Sequence, residues 1–146
     1  MKTSKKDTDN KIMAILYSEN YLFLLLKTNP KTMKVNHWFV VTGSLKENET
    51  FEEAVKREVK EETNLFIQKI TETDLEFNYE WPKNSGKIKH EKVFLVQVKQ
   101  SIPKLTRWEH VDWKWVSSRD FLKEIHWETP DKVDLKQVLS KISIKY

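Results

Sequence analysis

With 146 residues, no cysteine and a formal charge of +4, the chain is long enough for one self-supporting core and has neither disulfides nor thiolate metal sites to draw on. No apolar run approaches the roughly 18 residues of a membrane span, and the opening MKTSKKDTDNK lacks the apolar centre of a secretion signal, so a cytoplasmic setting is the expectation. The modest positive excess suits an anionic partner without choosing between nucleic acid and free nucleotides, and lysines scattered over a solvated surface account for it as well.

Residues 1–10 read as a flexible charged tail and 11–146 as a single domain. Residues 11–17 and 21–27 are apolar runs separated by Ser18-Glu19-Asn20, which is a hairpin signal. Residues 28–36, with Pro30, read as a loop, and 38–42 (WFVVT) as a short buried strand ending at Gly43. A helix is expected over 50–63. Strands follow at 65–70, 75–81 and 92–99, the last two joined by a polar turn containing Asn84, Ser85 and Gly86. Residues 111–116 alternate through Trp113 and Trp115 as a half-buried strand. Ser118 caps a short helix over 120–125, and Thr129-Pro130 opens a final helix with Val133, Val138, Leu139 and Ile142 on one stripe. Of the six tryptophans most belong in the core, with a few left to stack on bases. An α/β or α+β layered sandwich is the economical architecture.

The helix over 50–63 carries an anomaly. At about 100° per residue, Phe51, Ala54, Val55 and Val59 define an apolar arc, with Glu52, Glu53, Lys56 and Lys60 opposite. Glu58 and Glu62 fall inside the apolar arc, and Glu61 lies at its edge. An ordinary solvated helix with Glu53–Arg57 and Arg57–Glu61 pairs explains the outer acids. It does not explain the inner ones, because an inward carboxylate costs several kcal/mol unless compensated. Convergence of Glu58, Glu61 and Glu62 on one hard cation answers this, and all-oxygen ligation favours Mg²⁺ or Mn²⁺. An inward ion pair with a lysine is the alternative.

Gly43, Glu49 and the run Arg57-Glu58-Val59-Lys60-Glu61-Glu62-Thr63-Asn64-Leu65 resemble the Nudix box, G-x5-E-x7-R-E-U-x-E-E-x-G-U with U apolar. Asn64 replaces the last glycine, and asparagine is the next-best residue for a left-handed cap. Asn48 likewise holds a turn position often occupied by glycine. The resemblance implies the Nudix fold, a mixed β-sheet sandwiched between α-helices, and metal-dependent hydrolysis of nucleoside diphosphates linked to another group. It implies Glu58, Glu61 and Glu62 as metal ligands with the carbonyl of Gly43, Arg57 as the residue that holds the carboxylates through Glu49 or Glu61, and a glutamate as proton acceptor from water. One or more Mg²⁺ ions, replaceable by Mn²⁺, are the implied cofactor.

The substrate is less determined. The segment 38–44 and the Glu109-His110 pair before a Trp-containing strand look like the dATP and dihydroneopterin triphosphate pyrophosphohydrolase branch, where such a pair supplies a metal ligand and a substrate contact. Tyr79 after Phe77-Asn78 looks like the base-stacking tyrosine of dinucleoside tetraphosphate hydrolases, though nearer the box than that pattern has it. Tyr79 and Trp81 are candidates to clamp a base, and Lys27, His37, Thr42 and His110 to contact the substrate. His90 and His126 show no partner in the sequence. RNA 5′-end pyrophosphohydrolysis and a non-catalytic nucleotide-binding module stay open, the latter disfavoured by the complete set of box carboxylates. A monomer or homodimer without membrane contact completes the expectation.

Overall fold

A computed structural model describes residues 6–127 and 132–142. The strands are β1 (Asp7–Ser18), β2 (Phe23–Thr28), β3 (Trp38–Phe39), β4 (Val41–Lys46), β5 (Ile67–Glu80), β6 (Ile88–Val98) and β7 (His110–Val116). The helices are α1 (Pro30–Met33), α2 (Phe51–Thr63), α3 (Ser118–Glu124) and α4 (Val133–Ser140).

All seven strands of the described residues join one mixed sheet. β1 runs through its middle, parallel to β6 and antiparallel to β4, where Ile12 faces Gly43. β1 and β2 meet as a hairpin at the single pair Tyr17–Phe23 and then splay. The segment carrying β3 and β4 fills the fork, β3 pairing with β2 and β4 with β1.

The two-residue period of β1 divides the core. Ile12, Ala14 and Leu16 pack with Ala54, Val55 and Val59 of α2, while Met13, Ile15 and Tyr17 pack with Phe121 of α3 and Leu135, Val138 and Leu139 of α4. Burial on both faces explains why β1 reads as a continuous apolar run rather than an alternating one. The result is the mixed sheet between helices that the sequence implies.

Several boundaries differ from the sequence reading. The charged segment from Asp7 is already strand, because its backbone pairs with β4 and its acids find Lys46 at 2.5 Å and Lys89 at 2.9 Å. Residues 28–36 contain the turn of helix α1, capped by Asn29. Gly43 lies inside β4 rather than ending a strand. The two strands expected at 65–81 are one long β5 with a register shift between Glu72 and Glu76. On α4 the buried stripe is Leu135, Val138 and Leu139, with Val133 turned outward. The Thr129-Pro130 helix start lies outside the described residues. No helix among the described residues is long and apolar enough to cross a membrane.

Candidate metal centre and catalytic site

Helix α2 is fixed at both ends before it presents any chemistry. Thr50 Oγ1 accepts from the Glu53 amide at 3.1 Å and Glu53 accepts from the Thr50 amide at 2.9 Å, a reciprocal capping box. Asn64 closes the other end with φ 55°, and Asn48 takes φ 64° in the turn before the helix. Between these caps Ala54, Val55 and Val59 are fully buried, which sets the helix rotation. That rotation carries Glu58 and Glu62 inward. Glu62 is only 3% exposed, whereas the Glu61 side chain is 58% exposed at the rim.

Gly43 on β4 faces this helix. A Cβ there would stand 2.2 Å from Cδ of Glu58, so only glycine leaves room for the Glu58 carboxylate. Arg57 secures the surroundings with its whole guanidinium. Nε and Nη2 bond the two oxygens of Glu49 at 2.8 and 2.9 Å, Nη2 reaches the Ser44 carbonyl at 2.8 Å, and Nη1 reaches Glu58 at 2.5 Å. Glu61 is a longer contact at 3.4 Å. The bidentate bond from Arg57 holds the Glu49 carboxyl below its usual range and pushes the guanidinium further from deprotonation.

The other wall comes from the start of β7. The β2–β7 ladder pairs Lys27 with Asp112 but Thr28 with His110, so Val111 is an extra residue in a β-bulge. The bulge matters for direction. Pairing with Thr28 puts His110 in the row of Leu24 and Leu26, which faces α2; an uninterrupted ladder would put it on the α3–α4 side. His110 Nδ1 thereby stands 3.9 Å from Glu62 Oε1. Ligand atoms of Glu62, Glu109 and His110 lie within 4.8 Å of one another.

The electrostatics of this group are unfavourable as it stands. Burial, then the nearby Glu58 and Glu109 carboxylates, push Glu62 well above the ordinary carboxylate range. Burial and the Glu58 charge also raise Glu109, and burial lowers His110 to about 4. Among the described residues, Glu62 Oε2 and His110 Nδ1 are buried without a hydrogen-bond partner. An orphaned carboxylate oxygen among converging carboxylates fits a hard divalent cation, whose charge would offset both the desolvation and the repulsion. Beside the cluster, a cleft of about 570 Å³ opens between Arg57, Lys60 and Glu61 of α2 and the segment from Lys104 to Thr106.

The structure thus brings Gly43, Arg57, Glu58, Glu62, Glu109 and His110 together, with Glu61 at the edge. The remaining candidates are outside this converging group. Thr42 and Lys27 belong to rows facing α3 and α4, and Lys27 sits 5.7 Å from the Trp38 ring. His37 stacks on His126 at 3.9 Å, a partner the sequence does not reveal, and His90 bonds Asn78 at 2.7 Å. The Tyr79 hydroxyl donates to Glu91 at 2.6 Å, while Trp81 is 57% exposed. Sequence reasoning missed the neighbours that hold the loop carrying Glu109, namely Asn29, Thr32 and Thr106. An Asn-Pro dipeptide is a helix-start signal, but nothing in it says what the helix touches.

The family model described as the NUDIX domain matches residues 8–137. Among solved structures, a Nudix hydrolase-like protein of Listeria monocytogenes aligns with a TM-score of 0.70 at 22% identity, covering 90% of this chain and 90% of that one. The E. coli dihydroneopterin triphosphate pyrophosphohydrolase aligns at 0.66 and 20% identity, covering 94% and 97%. An Ap4A hydrolase of C. elegans aligns at 0.65 and 25% identity, covering 91% and 93%. Comparison with curated proteins gives no match.

Proposed function

The chain belongs to the Nudix hydrolase family, and from that membership we propose that it is a metal-dependent pyrophosphohydrolase of small nucleotides. It cleaves a diphosphate linkage in a nucleoside triphosphate, or a close relative, by attack of water at phosphorus. The observation that carries this reading is the arrival of Glu109 and His110 beside Glu62, since an acid-histidine pair joined to the box is the pattern of the triphosphate branch. The fold shared with the dihydroneopterin triphosphate enzyme is consistent with it. The likeness to an Ap4A hydrolase keeps dinucleoside tetraphosphates as the second reading. Against it, the hydroxyl of Tyr79 is engaged by Glu91.

Glu58, Glu62 and Glu109, with the carbonyl of Gly43 and with Glu61 at the rim, would hold Mg²⁺ or Mn²⁺. When bound, the cation neutralises phosphate oxygens and lowers the pKa of water. The chain's own groups do the positioning. Arg57 fixes Glu58 and Glu49, and the rigid α2 keeps the carboxylates in register. Glu61, exposed toward the cleft, can accept a proton from water, with Glu58 behind it. Lys60 and Lys104 bring positive charge to the cleft where a polyanion would lie.

A hydrolysis panel with Mg²⁺ and with Mn²⁺ tests the reading, spanning dNTPs, NTPs, dinucleoside polyphosphates, ADP-ribose and triphosphorylated RNA, with products resolved by chromatography. Turnover of a triphosphate is expected, and Glu62→Gln should reduce it by orders of magnitude while the circular dichroism spectrum stays the same. Normal turnover by Glu62→Gln would sink the assignment of the centre.

A further inference from the structure

We propose that the turn from Asn29 to Thr32 is a positioning clamp that mounts Glu109 and His110 at the metal centre; this rests on the reading of that centre given above. Three successive carbonyls of the loop before β7 are each held by that one turn. Asn29 Nδ2 donates to the Arg107 carbonyl at 2.8 Å, Thr32 Oγ1 donates to the Trp108 carbonyl, and the Asn29 amide donates to the Glu109 carbonyl at 2.8 Å. The turn is itself preorganised. Asn29 Oδ1 accepts from the Lys31 amide at 3.0 Å, the Asn29 carbonyl accepts from the Met33 amide at 2.8 Å, and Pro30 restricts the backbone between them.

The loop is gripped from its other side as well. Thr106 Oγ1 donates to the Glu61 carbonyl of α2 at 2.7 Å, and the Thr106 carbonyl accepts from the amides of Glu109 and His110 at 2.9 and 3.0 Å. The peptide carrying Glu109 is therefore suspended between α1 and α2.

Packing does not account for this investment. Arg107 and Trp108 are exposed, Trp108 at 65%, so the stretch that the turn grips buries little apolar surface. Hydrogen bonds at such a surface contribute little net stability against the entropy of ordering the chain. What they do fix is direction. Glu58 and Glu62 are held by a helix with a buried face, but Glu109 sits on a loop, and its ligand atom must be kept within 4.8 Å of those of Glu62 and His110. Unrestrained, it would swing to solvent and leave the centre incomplete. The clamp, with the bulge at Val111, prevents this. Asn29 and Thr32 are positioning residues, since they act on main-chain atoms and through them on Glu109.

The test measures Mn²⁺ affinity of the metal-free protein by calorimetry, alongside thermal unfolding, for Asn29→Ala, Thr32→Val and the double variant. The double variant should bind Mn²⁺ about 10-fold more weakly, the range expected for losing partners that orient a ligand, and Thr32→Ser should retain wild-type affinity. In a Glu109→Gln background the clamp substitutions should have no further effect. Unchanged affinity in the folded double variant, or a full additional loss in the Glu109→Gln background, overturns the clamp and leaves the centre standing. Wild-type Mn²⁺ binding by Glu62→Gln would overturn both.

Discussion

Glu62 is nearly as buried as the valines that share its helix face, and one of its oxygens has no hydrogen-bond partner among the described residues. A carboxyl so buried either keeps its proton or is compensated by an opposite charge or hydrogen bonds. This much was legible in the sequence, because a helical wheel places Glu58 and Glu62 inward whatever the tertiary contacts are. The role of Gly43 was less legible. As a residue it suggested the end of a strand, yet it lies mid-strand and its value is the empty space beside Glu58. Gly43→Ala would put a methyl into that space and force the Glu58 carboxylate away. Loss of Mn²⁺ affinity and turnover of about 10-fold or more is expected, with unfolding monitored to show that the sheet persists. Wild-type affinity in this variant would mean that Glu58 need not occupy its observed position.

At the level of elements, α2 was the easiest to read, since its cap residues, apolar arc and terminal asparagine agree with one another. The structure gives the asparagine a specific task. Asn64 takes φ 55° while its amide bonds the carbonyls of Lys60 and Val59 at 3.0 and 3.2 Å. Asn64→Val should therefore cost about 1–2 kcal/mol in urea unfolding, the penalty of a β-branched side chain in left-handed backbone. Asn64→Gly should be close to neutral, and equal losses in the two variants would assign the cap to side-chain contacts instead. The start of β7 was not legible in the same way. Period-two reading detects Trp113 and Trp115, but a bulge at Val111 depends on how β2 pairs with it, and pairing is a tertiary fact. The merged β5 was missed for a related reason: its polar stretch at Glu72 to Glu76 looks like a break, and the register shift lets the strand continue through it.

For the whole molecule, the decisive feature is that the candidate ligands come from β4, α2 and the approach to β7, so a bound cation would tie distant parts of the chain together. Binding to the folded state alone stabilises it by about 2.7 kcal/mol when free cation is 100 times its Kd. The pH dependence of that gain follows from the buried groups. Glu62 and Glu109 are raised in the folded protein, so without metal their contribution to stability is complete below the unfolded carboxylate range and is lost as pH rises through their folded values. His110 acts in the opposite sense: its contribution is present above the unfolded histidine value and is lost as pH falls toward about 4. A cation needs the carboxylates ionised, so it restores what the metal-free protein loses at higher pH. The increase in unfolding free energy caused by Mn²⁺ should accordingly be small near about pH 5 and grow toward about pH 7.5, as read from paired denaturation curves with Mn²⁺ and with EDTA. Glu62→Gln should flatten that slope, because it removes the most strongly perturbed carboxylate. A gain independent of pH in the wild-type protein would place the cation on exposed acids rather than in the buried group.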